Sequence, residues 1–66
     1  MARGIYTYVV MLDGRPQGAF TVKYEMIAFL KNFHSSYLPR VTVWFYRYNT
    51  ELLEVRNALD LIKEDK

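Results

Sequence analysis

The sequence predicts an α+β fold: a three-stranded antiparallel sheet with two amphipathic helices, in the order β-β-α-β-α. Three observations carry that prediction. Residues 5–12 and 40–48 are rich in β-branched and aromatic side chains over strand-like lengths. A concentrated turn signal, Asp13-Gly14-Arg15-Pro16-Gln17-Gly18, follows the first run. Apolar residues then recur at helical spacing in two later segments, 22–34 and 50–63.

Each element has its own warrant. Ile5 to Leu12 reads as the first strand, and residues 13–18 as the turn. In that turn Asp-Gly supplies positive φ, Pro16 fixes its own φ, and Gly18 permits a further unusual angle. Residues 19–22 then return as a short antiparallel strand, completing a hairpin. Val22, Met26, Phe29, Leu30 and Phe33 share one face of a helix over 22–34, with Thr21 as its expected N-cap and Glu25 in its first turn. Pro39 holds Leu38 extended and so leads into the third strand, 40–48. Asn49 or Thr50 is expected to cap a second helix over 50–63, striped by Leu52, Val55, Leu59 and Ile62. The simplest arrangement puts the first strand in the middle of the sheet and the first helix across one face. Three positions are open to the second helix: beside the first, over the opposite face, or on another subunit.

Sixty-six residues make one small domain, which buries only ~60% of the surface its unfolded chain exposes. A composition that is 52% hydrophobic and 17% aromatic excludes disorder, and strains the capacity of one core to hide its large side chains. The absence of cysteine excludes disulfides, thiolate metal sites and cysteine nucleophiles. No signal peptide or membrane-spanning run is visible, so a cytoplasmic location and no membrane partner are expected. Charge is unevenly spread. Residues 1–48 hold six basic residues against two acidic ones, and residues 49–66 hold three against five.

The functional expectation rests on residues 40–48. Side chains alternate across a strand, so Val41, Val43 and Phe45 face one way. Thr42, Trp44, Tyr46 and Tyr48 face the other, with Arg40 at the end of their row. In the first strand Ile5, Thr7, Val9 and Met11 form one row and Tyr6, Tyr8, Val10 and Leu12 the other. If Tyr6 and Tyr8 share the face of Trp44, Tyr46 and Tyr48, five aromatics stand together and cover on the order of 400 Å².

Three readings of that face compete. The second helix covers it, and its tyrosines are core residues. Alternatively it is a protein interface, for a homodimer or another protein, with Arg40 and Arg47 giving polar specificity at the rim. In the third reading it stacks single-stranded nucleic acid, with Arg3, Arg15 and Lys23 contacting phosphate. The scarcity of Lys and Arg and the acidic second helix weigh against the third. The expectation is a non-enzymatic interaction protein, with a nucleic-acid module as the alternative.

Catalytic, metal and cofactor chemistry is not expected. His34 is the only histidine, follows the first helix beside two serines, and has no carboxylate or nucleophile at a catalytic spacing. The glycines of the turn lack the Lys-Ser/Thr of a phosphate loop. Gly4-Ile5-Tyr6 is similar to the first tripeptide of the GIY-YIG nucleases, but the second tripeptide is missing and no role carries over. In its small size and lack of cysteine the chain resembles the accessory proteins of phages and mobile elements.

Overall fold

The computed structural model describes residues 6–48 and 50–64. Arg3, Ile5 and the candidate cap Asn49 lie outside the described residues. The class is α+β as expected, but the antiparallel sheet has four strands, in the order β2-β1-β3-β4. Strand β1 spans Tyr6–Leu12 and β2 spans Arg15–Phe20. Helix α1 spans Lys23–Lys31, followed by a single 3₁₀ turn at Leu38–Arg40. Strand β3 spans Val41–Arg47, β4 Glu51–Asn57, and helix α2 Ala58–Glu64. The chain thus runs ββα twice, with β1 and β3 paired at the centre and β2 and β4 at the edges.

The first turn is shorter than its sequence signal. Leu12 pairs with Arg15, so only Asp13 and Gly14 connect the strands, at φ 53° and 83°. Positive φ at both central residues matches the right-handed twist of a hairpin, which is why Asp-Gly closes it. An added Cβ at Gly14 would meet nothing within 4 Å, so the glycine serves its backbone angle alone. Residues 15–18, expected in the turn, belong to β2. Pro16 is tolerated there because β2 is an edge strand, and the register shift opposite Val10 and Met11 leaves Gln17 as the extra residue of a bulge. Gly18 makes room for aromatics: a Cβ there would lie 3.2 Å from the Phe20 ring and 3.5 Å from that of Phe29.

Helix α1 starts after Val22, which makes no side-chain cap bond, so Thr21 is not the N-cap. Its buried stripe is Met26, Ile27 and Leu30, with Phe29 and Phe33 packed beside it, whereas Val22 is exposed. Phe20, Phe29 and Phe33 form a ladder with ring centroids 5.1 and 5.4 Å apart. The helix ends three residues before His34. That side chain closes a local turn instead, its Nδ1 accepting the Ser36 backbone N–H at 3.1 Å and lying 2.9 Å from Ser36 Oγ.

The largest correction concerns residues 50–63, expected to be one helix. Their first half is strand β4 and only Ala58–Glu64 is helical. Between Phe45 and Tyr46 the β3–β4 register shifts: Phe45 pairs with Glu54 but Tyr46 pairs with Leu52, leaving Leu53 as the extra residue. In a regular strand, residues three apart lie on opposite faces. The bulge restores Leu52 and Val55 to one face, and so imitates helical spacing. Tyr48, expected in the aromatic row of the strand, instead begins the β3–β4 turn at φ 58°.

Both helices pack on one face of the sheet. Val10, Val41 and Val43 are fully buried with Met26, Ile27 and Leu30 of α1 and Ala58 and Leu61 of α2. Of the three positions open to the second helix, α2 takes the one beside α1. No helix among the described residues is long and apolar enough to cross a membrane.

Candidate interaction surface

Residues directly opposite one another in an antiparallel ladder point to the same face. Val10 opposes Val43 in the core, so their strand neighbours Val9 and Trp44, also paired, point away from both helices. The same register carries across the sheet and defines an open face. Its middle row is Ala19–Val9–Trp44–Val55. On one side lies Thr7–Tyr46–Leu52, on the other Pro16–Met11–Thr42–Asn57. Among the described residues, no helix covers these rows.

Trp44 and Tyr46 dominate the face, with rings stacked at a centroid separation of 6.5 Å and an interplanar angle of 27°. Both are half-buried, as are Val9 and Met11, because neighbouring side chains shield them. At the β4 edge Leu52 and Val55 are 44% and 48% exposed. Strands of this length, spaced as in any sheet, make a surface of about 20 Å by 20 Å in plan.

The charges lie on the other side. Among the strand residues, Arg15 pairs in register with Leu12, Arg47 with Tyr6 and Glu51, Glu54 with Phe45, and Arg56 with Val43. Each therefore points to the helix-covered side. None of the open-face residues named above is Lys, Arg, Asp or Glu. A solvated sheet face normally carries the polar half of each strand's alternation. Here the central residues of both faces are apolar, and the charged strand residues fall on the helix side.

The expected site residues divide between the two faces. Trp44 and Tyr46 stand together on the open face. Tyr6 and Tyr8 do not join them. Tyr8 opposes Phe45 and meets its ring edge to face, with centroids 5.1 Å apart, while Tyr6 opposes Arg47. The reason is register, since burying Val10 against Val43 commits the even-numbered row of β1 to the helices. Tyr48 is in the turn. The sequence reading missed Val9, Met11, Leu52 and Val55. Their signal was the second apolar row of β1 and an apolar pair three apart, each with a reading that placed it elsewhere.

The rim arginines are engaged within the chain. Arg40 Nε donates to both Asp13 carboxylate oxygens at 3.1 Å, and its guanidinium carbon lies 5.7 Å from the centre of the Tyr37 ring. Arg47 donates to Glu51 Oε1 from Nε at 3.1 Å and from Nη2 at 3.0 Å. Arg56 binds Glu64, with Nη1 donating to Oε1 at 3.2 Å. Hydrogen bonds from Arg40 and Arg56 lower the Asp13 and Glu64 pKa values, and the same bonds raise those of the two arginines. Of the expected phosphate contacts, Arg15 lies on the helix side of β2 and Lys23 opens α1, in the helix layer.

The described residues enclose no pocket and bring together no group of three or more His, Asp or Glu side chains able to hold a metal ion. In comparisons with known proteins, the chain matches no family model, no curated protein and no solved structure.

Proposed function

We propose that this protein is a small non-enzymatic interaction module whose open sheet face, centred on Trp44 and Tyr46, docks on protein. The observation that carries this reading is an uncovered sheet face with an apolar middle row and none of the described strand charges. A face that stays in water has no reason to carry an apolar row across all four strands while Arg15, Glu54 and Arg56 lie on the side that carries the core. A face that becomes dry on binding does. Aromatic side chains at the centre with charges held off it is the composition of an interface core.

The nucleic-acid reading has less support. Stacked Trp44 and Tyr46 would suit bases, but single-strand binders run a cationic groove along such aromatics. Here Arg40 and Arg47 are paired with Asp13 and Glu51.

Trp44→Ala separates a docking surface from a structural one. In dilute solution, urea unfolding followed by circular dichroism should give a loss below about 2 kcal/mol, short of the ~3–5 kcal/mol of a core tryptophan. A core-sized loss would make the face part of the fold and end the docking reading. Trp44 is the only tryptophan, so its fluorescence reports on this face alone. Adding an oligothymidylate at low salt should leave its emission unchanged; saturable quenching that salt reverses would replace protein with nucleic acid.

A further inference from the structure

Resting on that reading, we infer that the occupant of the open face is a second copy of this chain, packed sheet to sheet about a two-fold axis. The axis lies in the interface, parallel to the strands and midway between β1 and β3. Such an operation lays β3 over the partner's β1 and β4 over the partner's β2, while keeping each residue at its own level along the strands. The register then dictates what meets what. Trp44 and Val9 share a level, so Trp44 lies over the partner's Val9; likewise Tyr46 lies over the partner's Thr7, and Val55 over the partner's Ala19. On the last level Met11 lies over the partner's Thr42.

Each of these four contacts sets the larger side chain of its pair on the smaller, and at the edge of the last level Asn57 lies over the partner's Pro16. Packed sheets stand ~10 Å apart, a gap that alternating large and small residues fill and that two opposed tryptophans would prop open. In the middle row the larger residue of each facing pair, Trp44 against Val9 and Val55 against Ala19, is on β3 or β4; on the last level the order reverses, with Met11 on β1 and Thr42 on β3. Each of these pairs can therefore interdigitate across the two-fold.

Charge and area agree with a self-contact. Near a two-fold axis a charged group meets its own image, so an isologous interface tolerates few charges there. This face has none on its named residues, whereas recognition of a foreign protein gains specificity from charge complementarity. Two faces of roughly 400 Å² in plan, with the extra area that protruding side chains add, approach the ~1,200 Å² at which specific interfaces begin.

The test is sedimentation equilibrium of the full chain from low micromolar to near-millimolar concentration, with Trp44 emission followed over the same range. The expected result is a monomer–dimer equilibrium whose dimer shows blue-shifted emission and little response to added salt. Trp44→Glu should raise the dimer dissociation constant roughly 30-fold or more, the effect of a central hot-spot residue. Val55→Glu, at an exposed edge position where folding is not at risk, should raise it about 10-fold. A protein that stays monomeric throughout, with Trp44 accessible to acrylamide, overturns the second copy and leaves docking on another protein standing. A dimer indifferent to both substitutions, in variants with wild-type circular dichroism, overturns it too, because association then runs through another surface.

Discussion

Val10 and Val43 are fully buried beneath α1 and α2, whereas Val9 and Trp44, one residue along each strand, stand on a face that neither helix reaches. The two faces belong to the same four strands and are both apolar. They differ in what shares them. The covered face takes the charged residues of the strands at its margins, where Arg47 meets Glu51 and Arg56 meets Glu64. Among the described strand residues, the open face takes none. Apolarity alone therefore does not tell a core from an interface in so small a protein. The informative quantity is the combination of apolar surface, missing cover and displaced charge.

The comparison breaks most severely if the covered face is opened. Leu30→Ala removes a fully buried side chain that α1 presses onto the sheet, and should cost about 2–5 kcal/mol. That is much of the stability of a chain this size, so urea titration should find the variant near or beyond its folding threshold. A loss under about 1 kcal/mol would mean that α1 is not seated as described.

A finer test uses neighbours. Val10→Ala should cost about 2 kcal/mol, by lost transfer and cavity terms together. Val9→Ala should cost no more than the ~1 kcal/mol that strand propensity spans, when measured on dilute protein. The pair shares a strand and a side chain, so the difference reads the cover alone. Equal losses would erase the distinction between the faces. Repeating Val9→Ala at high concentration sharpens it, because a dimer would add its own dependence on that residue.

The smallest effect belongs to the charges. Folding lowers the pKa of Asp13 through its hydrogen bond from Arg40 and that of Glu64 through its bond from Arg56. A carboxylate with a depressed folded-state pKa stabilises the fold at pH above its unfolded value. It loses that contribution as pH falls through the folded value, here below about pH 4. Both pairs are open to solvent, so the decline should be slight, and Asp13→Asn should remove its own share. Urea midpoints measured at stepwise lower pH check this. A steep loss already near neutral pH would point to a titrating group other than these two.

Much of the architecture was legible because it is local. Asp13-Gly14 announced a hairpin, Met26 and Leu30 announced a helix face, and the β-branched run at Val41 and Val43 announced a strand, though its place at the centre of the sheet was not foreseen. Strand β4 was not legible. Its bulge at Leu53 sets Leu52 and Val55 on one face at a spacing of three, and with Leu59 and Ile62 beyond them the run reads as a single amphipathic helix. Pro16 was misread for the converse reason: it breaks a central strand, but β2 turned out to lie at an edge. Of the aromatics expected to share one face, Trp44 and Tyr46 do share it, and Tyr6 and Tyr8 lie on the other. Both rows of β1 are apolar, and nothing within that strand tells which one the helices will claim.

By itself, then, the sequence determined the α+β class, the first hairpin, the first helix and the two-faced character of the strand carrying Trp44. Each follows from backbone preferences and periodicities that act within a few residues. Only the tertiary structure decided the fourth strand, the seating of both helices on one face, and the company Trp44 keeps. These depend on strand register, in which a shift of one residue exchanges the two faces entirely. That register is set by burying Val10 against Val43 under Leu30 and Leu61, contacts between residues far apart in the chain.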